Sequence, residues 1–206
     1  MINYSGEFTP AKTISTEQIP VGAYIGKIVG AKVEDYIANN NPYQRLVLAL
    51  DVTEGEYKDY YSKLLEAQQG GSYAPKYKGV LRLNIPKEGD AHEGMNKRIL
   101  QGAIWCIEDS NKGYKWDWDE AKLKGKVVGF SVRERDWIME DATGLRSGTT
   151  TEIGKLESIN DVRAGNVKPM KKRELRDSEK ARLAQAQAET NATATFTETQ
   201  DDDLPF

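Results

Sequence analysis

The chain is poor in the side chains that bind metals or carry redox chemistry, with one cysteine, Cys106, and one histidine, His92, in 206 residues. A lone cysteine closes no internal disulfide and fits a reducing compartment. One Cys and one His together are too few for a Cys/His zinc site. No apolar run approaches the roughly 18 residues that a membrane-spanning helix requires. The first residues, Met1 to Phe8, have neither a basic segment nor an apolar one, so no secretory signal is expected. A glycine-rich phosphate loop is also absent. Asp117, Asp119 and Glu120 are the only acidic group that suggests a metal-dependent nuclease. They alternate with tryptophan in a turn-rich stretch and have no Lys or His partner set by spacing. A binding module without cofactor, and not an enzyme, is the expectation.

Charge is present but unevenly placed. The net charge is -3. Asp177 to Phe206 holds two basic and seven acidic residues, a charge of -5, and taking this from -3 leaves +2 for residues 1 to 176. A mildly basic body with a strongly acidic tail is the pattern of a polyanion-binding domain carrying an acidic appendage. The hydrophobic fraction of 38% supports a core, while a mean hydropathy of -0.67 implies a sizeable solvated part.

Read in order, residues 1–20 form an extended lead-in with two prolines. A first strand is expected over Gly22 to Tyr36, bent at Gly26 and Gly30. A turn at Ala38 to Pro42 leads to a second strand, Tyr43 to Thr53, in which Leu46, Leu48, Leu50 and Val52 alternate with Arg45, Val47, Ala49 and Asp51. Within Glu56 to Pro75, Glu56 to Tyr61 suits a short strand and Ser62 to Gln69 has helical composition, stopped by Gly70-Gly71. A third strand follows over Tyr77 to Ile85, then a helix over Met95 to Glu108 with Met95, Ile99, Ala103 and Ile107 on its apolar face, widened by Leu100, Ile104 and Cys106. Trp105 and Cys106 on that helix are expected to pack in the core, and His92 to lie in a surface loop. Lys126 to Ile138 and Thr149 to Ile159 form a last hairpin around Asp141-Ala142-Thr143-Gly144. Beyond a basic coil, Asp161 to Lys172, the stretch Glu174 to Glu189 suits a short helix, and Asn191 to Gln200 is too poor in apolar residues to fold.

The chain ends Asp201-Asp202-Asp203-Leu204-Pro205-Phe206. Such a density of carboxylates beside an apolar pair is costly to bury and reads as a segment offered to a partner. It resembles the acidic C-terminal peptide of bacterial single-stranded DNA-binding proteins, which recruits replication, recombination and repair proteins. The body is similar to the single-stranded DNA-binding domains of phages and prophages of Gram-positive bacteria. That likeness rests on Gly22-x-Tyr24, Leu123-Lys124-Gly125-Lys126-Val127-Val128-Gly129 and Ser158-Ile159-x-Asp161-Val162-Arg163-x-Gly165, within residues 20 to 170. The strand–strand–strand–helix–strand–strand order is that of a five-stranded OB-fold barrel with one helix between the third and fourth strands.

The fold class expected is therefore mainly β, with an OB-fold over residues 21–170, a flexible linker over 171–200 with a short helix, and an acidic partner-binding tip, 201–206. The resemblance implies single-stranded DNA binding without base readout in a bacterial host cytoplasm, together with host or phage replication partners at the tip. It is compatible with self-association. Phosphates need cations and bases need aromatic platforms. The outward strand positions nominate Arg45, Lys78, Arg82, Arg133, Arg135 and Trp137 as one face. Tyr36, Tyr43 and Arg146 flank the hairpin turns, and Tyr77 belongs to a second aromatic group with Tyr57, Tyr60, Tyr61 and Tyr73. Asp201, Asp202, Asp203, Leu204, Pro205 and Phe206 are the partner-binding candidates. An alternative keeps the tip but makes the body an annealing or adaptor protein.

Overall fold

The computed structural model describes residues 18–38, 40–69, 74–141 and 144–197, with side chains through 188. Five strands form one antiparallel sheet: β1 (Gly22–Ala38), β2 (Asn41–Val52), β3 (Val80–Asn84), β4 (Val127–Asp141) and β5 (Gly144–Glu157), in the order β3-β2-β1-β4-β5. Four helices accompany it: α1 (Tyr60–Ala67), α2 (Glu93–Ser110), α3 (Ile159–Ala164) and α4 (Asp177–Thr197), with a 3-10 turn over Glu120–Leu123. The expected mainly β class holds, as does the helix between the third and fourth strands. Closure differs from expectation. β3 and β5 are the two edges of the sheet, and among the described residues no ladder joins them.

The leucine alternation in β2 sets the core. Leu46, Leu48, Leu50 and Val52 are buried together with Leu81 and Leu83 of β3, Val128, Phe130 and Val132 of β4, and Ile28 of β1. Each such side chain contributes roughly 1.5–3 kcal/mol relative to exposure. Ile19, in the stretch expected to be an extended lead-in, is fully buried with them. Strand β1 is bulged between Ile28 and Gly30, and Gly26 pairs with both Val52 of β2 and Val128 of β4. A Cβ at Gly26 would strike the Asp51 carbonyl oxygen and come 2.6 Å from the Phe130 ring.

Helix α2 closes the core with part of the face expected. Asn96, Leu100, Ala103, Cys106 and Ile107 are buried, whereas Met95 and Ile99 are half exposed. Strict four-residue spacing drifts around an α-helix, so Met95 and Ile107 stand about 120° apart and cannot share one face. Trp105, expected in the core, is 55% exposed. Cys106 is buried as expected, and burial pushes its thiol up to about 11.

After β2, the short strand expected over Glu56 to Tyr61 does not form, whereas the helical composition of Ser62 to Gln69 is met by α1, held by a contact distant in sequence. The helix starts at Asp59, which is left-handed and gives no side-chain cap. The cap comes from β2 instead. Buried Asp51 accepts from the backbone N–H of Tyr61 (3.0 Å) and Ser62 (3.1 Å), from its neighbour Val52 (2.9 Å), and from the Ser62 hydroxyl. These satisfy helix-terminal donors that would otherwise be orphaned. β3 is shorter than expected because the Val80 N–H turns back onto the Lys78 carbonyl. Helix α4 runs to Thr197, beyond the Glu189 at which the sequence suggested it would end.

Two outcomes follow from this packing. Asp51→Ala should lower stability by about 2–3 kcal/mol in urea unfolding, because buried donors lose a charged acceptor. Native protein at pH 8 should react with a thiol reagent at Cys106 far more slowly than unfolded protein does, since the thiolate is disfavoured and buried.

Candidate nucleic-acid interface

Strand alternation places one face of β1, β2 and β3 opposite the core leucines, and the register aligns it in rows. Glu34 pairs with Arg45 and Arg45 with Asn84; Lys32 pairs with Val47 and Val47 with Arg82; Gly30 pairs with Ala49 and Ala49 with Val80. The small residues form a shallow floor in a cleft of about 350 Å³, bordered by Lys32, Glu34, Arg82 and Tyr77. Arg45 grips Glu34 through Nε (3.1 Å) and Nη2 (2.9 Å), and Lys32 lies 2.8 Å from the other Glu34 oxygen. The Lys32 and Arg45 hydrogen bonds hold the Glu34 carboxyl below its usual range. Arg82 is exposed and makes no ion pair among the described residues. Three cations thus stand on a face with one carboxylate, two of them paired to it, and the face is positive.

Tyr77 forms one wall. Its hydroxyl donates to the Leu50 carbonyl at 2.9 Å and its ring packs on Tyr61. Burial, helped by the Asp51 carboxylate, pushes the phenol upward. The ring is therefore fixed, half-buried, with a side in the cleft. Tyr36 and Tyr43 are arranged differently from open platforms. They are cross-strand partners stacked on each other at 5.6 Å and 26°. The Arg45 guanidinium lies 5.0 Å from the Tyr36 ring centre and the Lys87 ammonium 5.1 Å from that of Tyr43. Their hydroxyls donate to Asn84 (3.1 Å) and Asp90 (2.7 Å). The latter bond raises the Tyr43 phenol and lowers the Asp90 carboxyl.

The remaining candidates do not share this cleft. Val132 pairs with Gly22 at the start of β1, whereas Lys32 and Glu34 lie toward its end. Arg133, Arg135 and Trp137 therefore stand on a long β4–β5 arm at the other end of the sheet. Arg133 bonds Glu152 through Nε (3.0 Å) and Nη2 (2.8 Å), and Arg135 reaches the other oxygen at 3.4 Å. The Trp137 indole lies across Gly148, where a Cβ would come within 2.8 Å of the ring. Arg146 pairs with Asp141 at 2.9 Å. Lys78 is exposed just before β3, off the ladder. The single outward face expected from alternation is thus two separate groups.

Of the second aromatic group, Tyr57, Tyr60 and Tyr61 pack edge-on in a chain that reaches Tyr24 and Phe130 and serve packing. Tyr73 and the tip 201–206 lie outside the described residues. Asp117 and Asp119 both meet the Lys122 ammonium. Among the described residues no group of three His, Cys, Asp or Glu is placed to hold a metal. His92 stands immediately before α2. Lys32, Lys87 and the small-residue floor escaped the sequence reading; alternation along β1 locates Lys32, but the floor needs the β1–β2–β3 register. In comparisons with known proteins, no protein-family model matches the chain and no curated protein matches it.

Proposed function

We propose that the protein binds single-stranded DNA without base readout, on the outer face of β1, β2 and β3. The strand order, with α2 between β3 and β4, supports an OB-type arrangement, in which that face and the two long hairpins are the usual ligand contacts. The observation that carries the reading is the cleft itself: a floor of Gly30, Val47, Ala49 and Val80, bordered by the fixed Tyr77 ring, Lys32 and unpaired Arg82, with Arg45 in the next row of the same face. A flat floor admits sugar and base edges of any sequence, a fixed ring stacks any base, and the cations meet phosphates. Nothing in it offers the ordered donor–acceptor pattern that base readout requires.

The acidic tip fits the same reading as a ligand for other proteins. Phe206 would place its ring in an apolar pocket while the α-carboxylate and the Asp run meet a basic rim. The tip's charge would also visit the cationic cleft at a concentration set by the linker.

Binding to a dT oligomer should weaken linearly with log salt, with a slope near -0.7 per phosphate contact. Arg82→Ala should flatten that slope by about one contact. Tyr77→Leu should cost roughly 1–3 kcal/mol of affinity with little change in slope. Unchanged binding in both variants would place the contact elsewhere. Deleting residues 201–206 should tighten DNA binding at low salt and abolish capture of replication proteins. Removing Phe206 alone should lose the capture and keep the DNA affinity; capture that survives its loss reduces the tip to a solubility tail.

A further inference from the structure

Beyond the cleft, the β4–β5 arm carries a second feature that the strand pattern does not announce. Past Val132, β4 has no β1 beside it, because Val132 pairs with Gly22, the first residue of β1. The chain returns to this open edge from its C-terminal side. The Arg173 N–H donates to the Glu134 carbonyl at 2.8 Å, and the Asp136 N–H donates to the Arg173 carbonyl at 2.9 Å, a parallel bridge. Side chains fasten it further. Lys172 meets Asp136 at 2.7 Å, Arg173 reaches Glu152 at 3.5 Å, and Met170 sits over Gly154, the extra residue at the β5 bulge.

Charge shows what this strap adds. On the arm, residues 133–152, Arg133, Arg135 and Arg146 are outnumbered by Glu134, Asp136, Glu140, Asp141 and Glu152. The arm alone is negative by two. Residues 166–176 bring Lys168, Lys171, Lys172, Arg173 and Arg176 against Glu174 alone, and turn this to positive by two. The next four charges, Asp177, Glu179, Lys180 and Arg182, cancel. Lys168, Lys171 and Arg176 are exposed and make no ion pair among the described residues.

We propose that the docked strap makes the arm a second single-stranded DNA contact, in line with the β1–β2–β3 cleft but separate from it, so that long strands engage both and short ones only the cleft. Edge covering alone accounts for the two backbone hydrogen bonds. It does not account for three unpaired cations held beside an otherwise negative arm. Backbone pairing fixes where these cations stand, so less order is lost when phosphates meet them. The inference rests on the single-strand reading above.

The test compares two labelled dT oligomers, one of about 6 nucleotides, short enough for a single site, and one of about 25. In the Lys168→Gln, Lys171→Gln, Arg176→Gln variant, the short oligomer should bind within about twofold of wild type. The long one should lose roughly tenfold at low salt, with its salt slope reduced by about 2, as three phosphate contacts require. Arg173→Pro keeps those three charges but removes the N–H given to Glu134. It should lose long-oligomer affinity beyond what Arg173→Gln loses. Unchanged long-oligomer binding in the triple variant, equal losses on both lengths, or Arg173→Pro matching Arg173→Gln would each overturn the proposal. Failure of the cleft reading looks different: wild type would then not bind the short oligomer at all.

Discussion

The structure turns on Gly26, which with Lys27 pairs with both β2 and β4, where the two ladders of β1 overlap. A strand that pairs on both edges while bending around a core brings neighbouring backbones and rings close to its own Cα. The Asp51 carbonyl and the Phe130 ring fill the space that any side chain would need. Only glycine permits that approach. Once β1 holds both partners, β2 places its leucines inward, β3 adds beyond it, and α2 closes the core from the β4 and β5 side. The bulge after Ile28 then sets the register that brings Gly30, Lys32 and Glu34 opposite Ala49, Val47 and Arg45.

That register decides the chemistry of the outer face. Two of its cations share Glu34, while Arg82 stands apart without a carboxylate. Asp51 on the same strand has a different task, because its carboxylate caps α1 and draws Tyr61 against Tyr77 and Phe130. The Tyr77 ring is thereby fixed where the cleft needs a wall. A stability contact and the proposed binding contact are thus neighbours, coupled through the Tyr61–Tyr77 pair. On the arm, by contrast, Glu152 gathers Arg133, Arg135 and Arg173, so those arginines are partly spent within the protein.

Local alternation made most of the sheet legible in the sequence. Leu46, Leu48 and Leu50, or Val128, Phe130 and Val132, point inward for a reason contained in five consecutive residues. The order of strands and the position of α2 were legible for the same reason. What was not legible depends on contacts distant in sequence. The helical composition of Ser62 to Gln69 was legible, but the start of α1 at Tyr60 was not, because its cap is Asp51 of β2 and not a neighbour in sequence. The apolar face of α2 was read too wide, because Met95 and Ile99 extend it, and only packing on Leu100, Ala103, Cys106 and Ile107 shows which part is buried. The outward cations looked like one face because alternation gives a side, not a position along the sheet. The strap is joined to β4 by a single bridge at Arg173, which carries no periodic signal at all.

The central claim is that single strands lie across the outer face of β1, β2 and β3. Photocrosslinking of full-length protein to a dT oligomer carrying 5-iodouracil, read by mass spectrometry, addresses it most directly. Iodouracil couples to aromatic rings in stacking contact, so the crosslink should fall on Tyr77 and disappear with added competitor dT. Crosslinks confined to Trp105 and Trp118, the exposed tryptophans of the apolar cleft beside α2, would contradict the account.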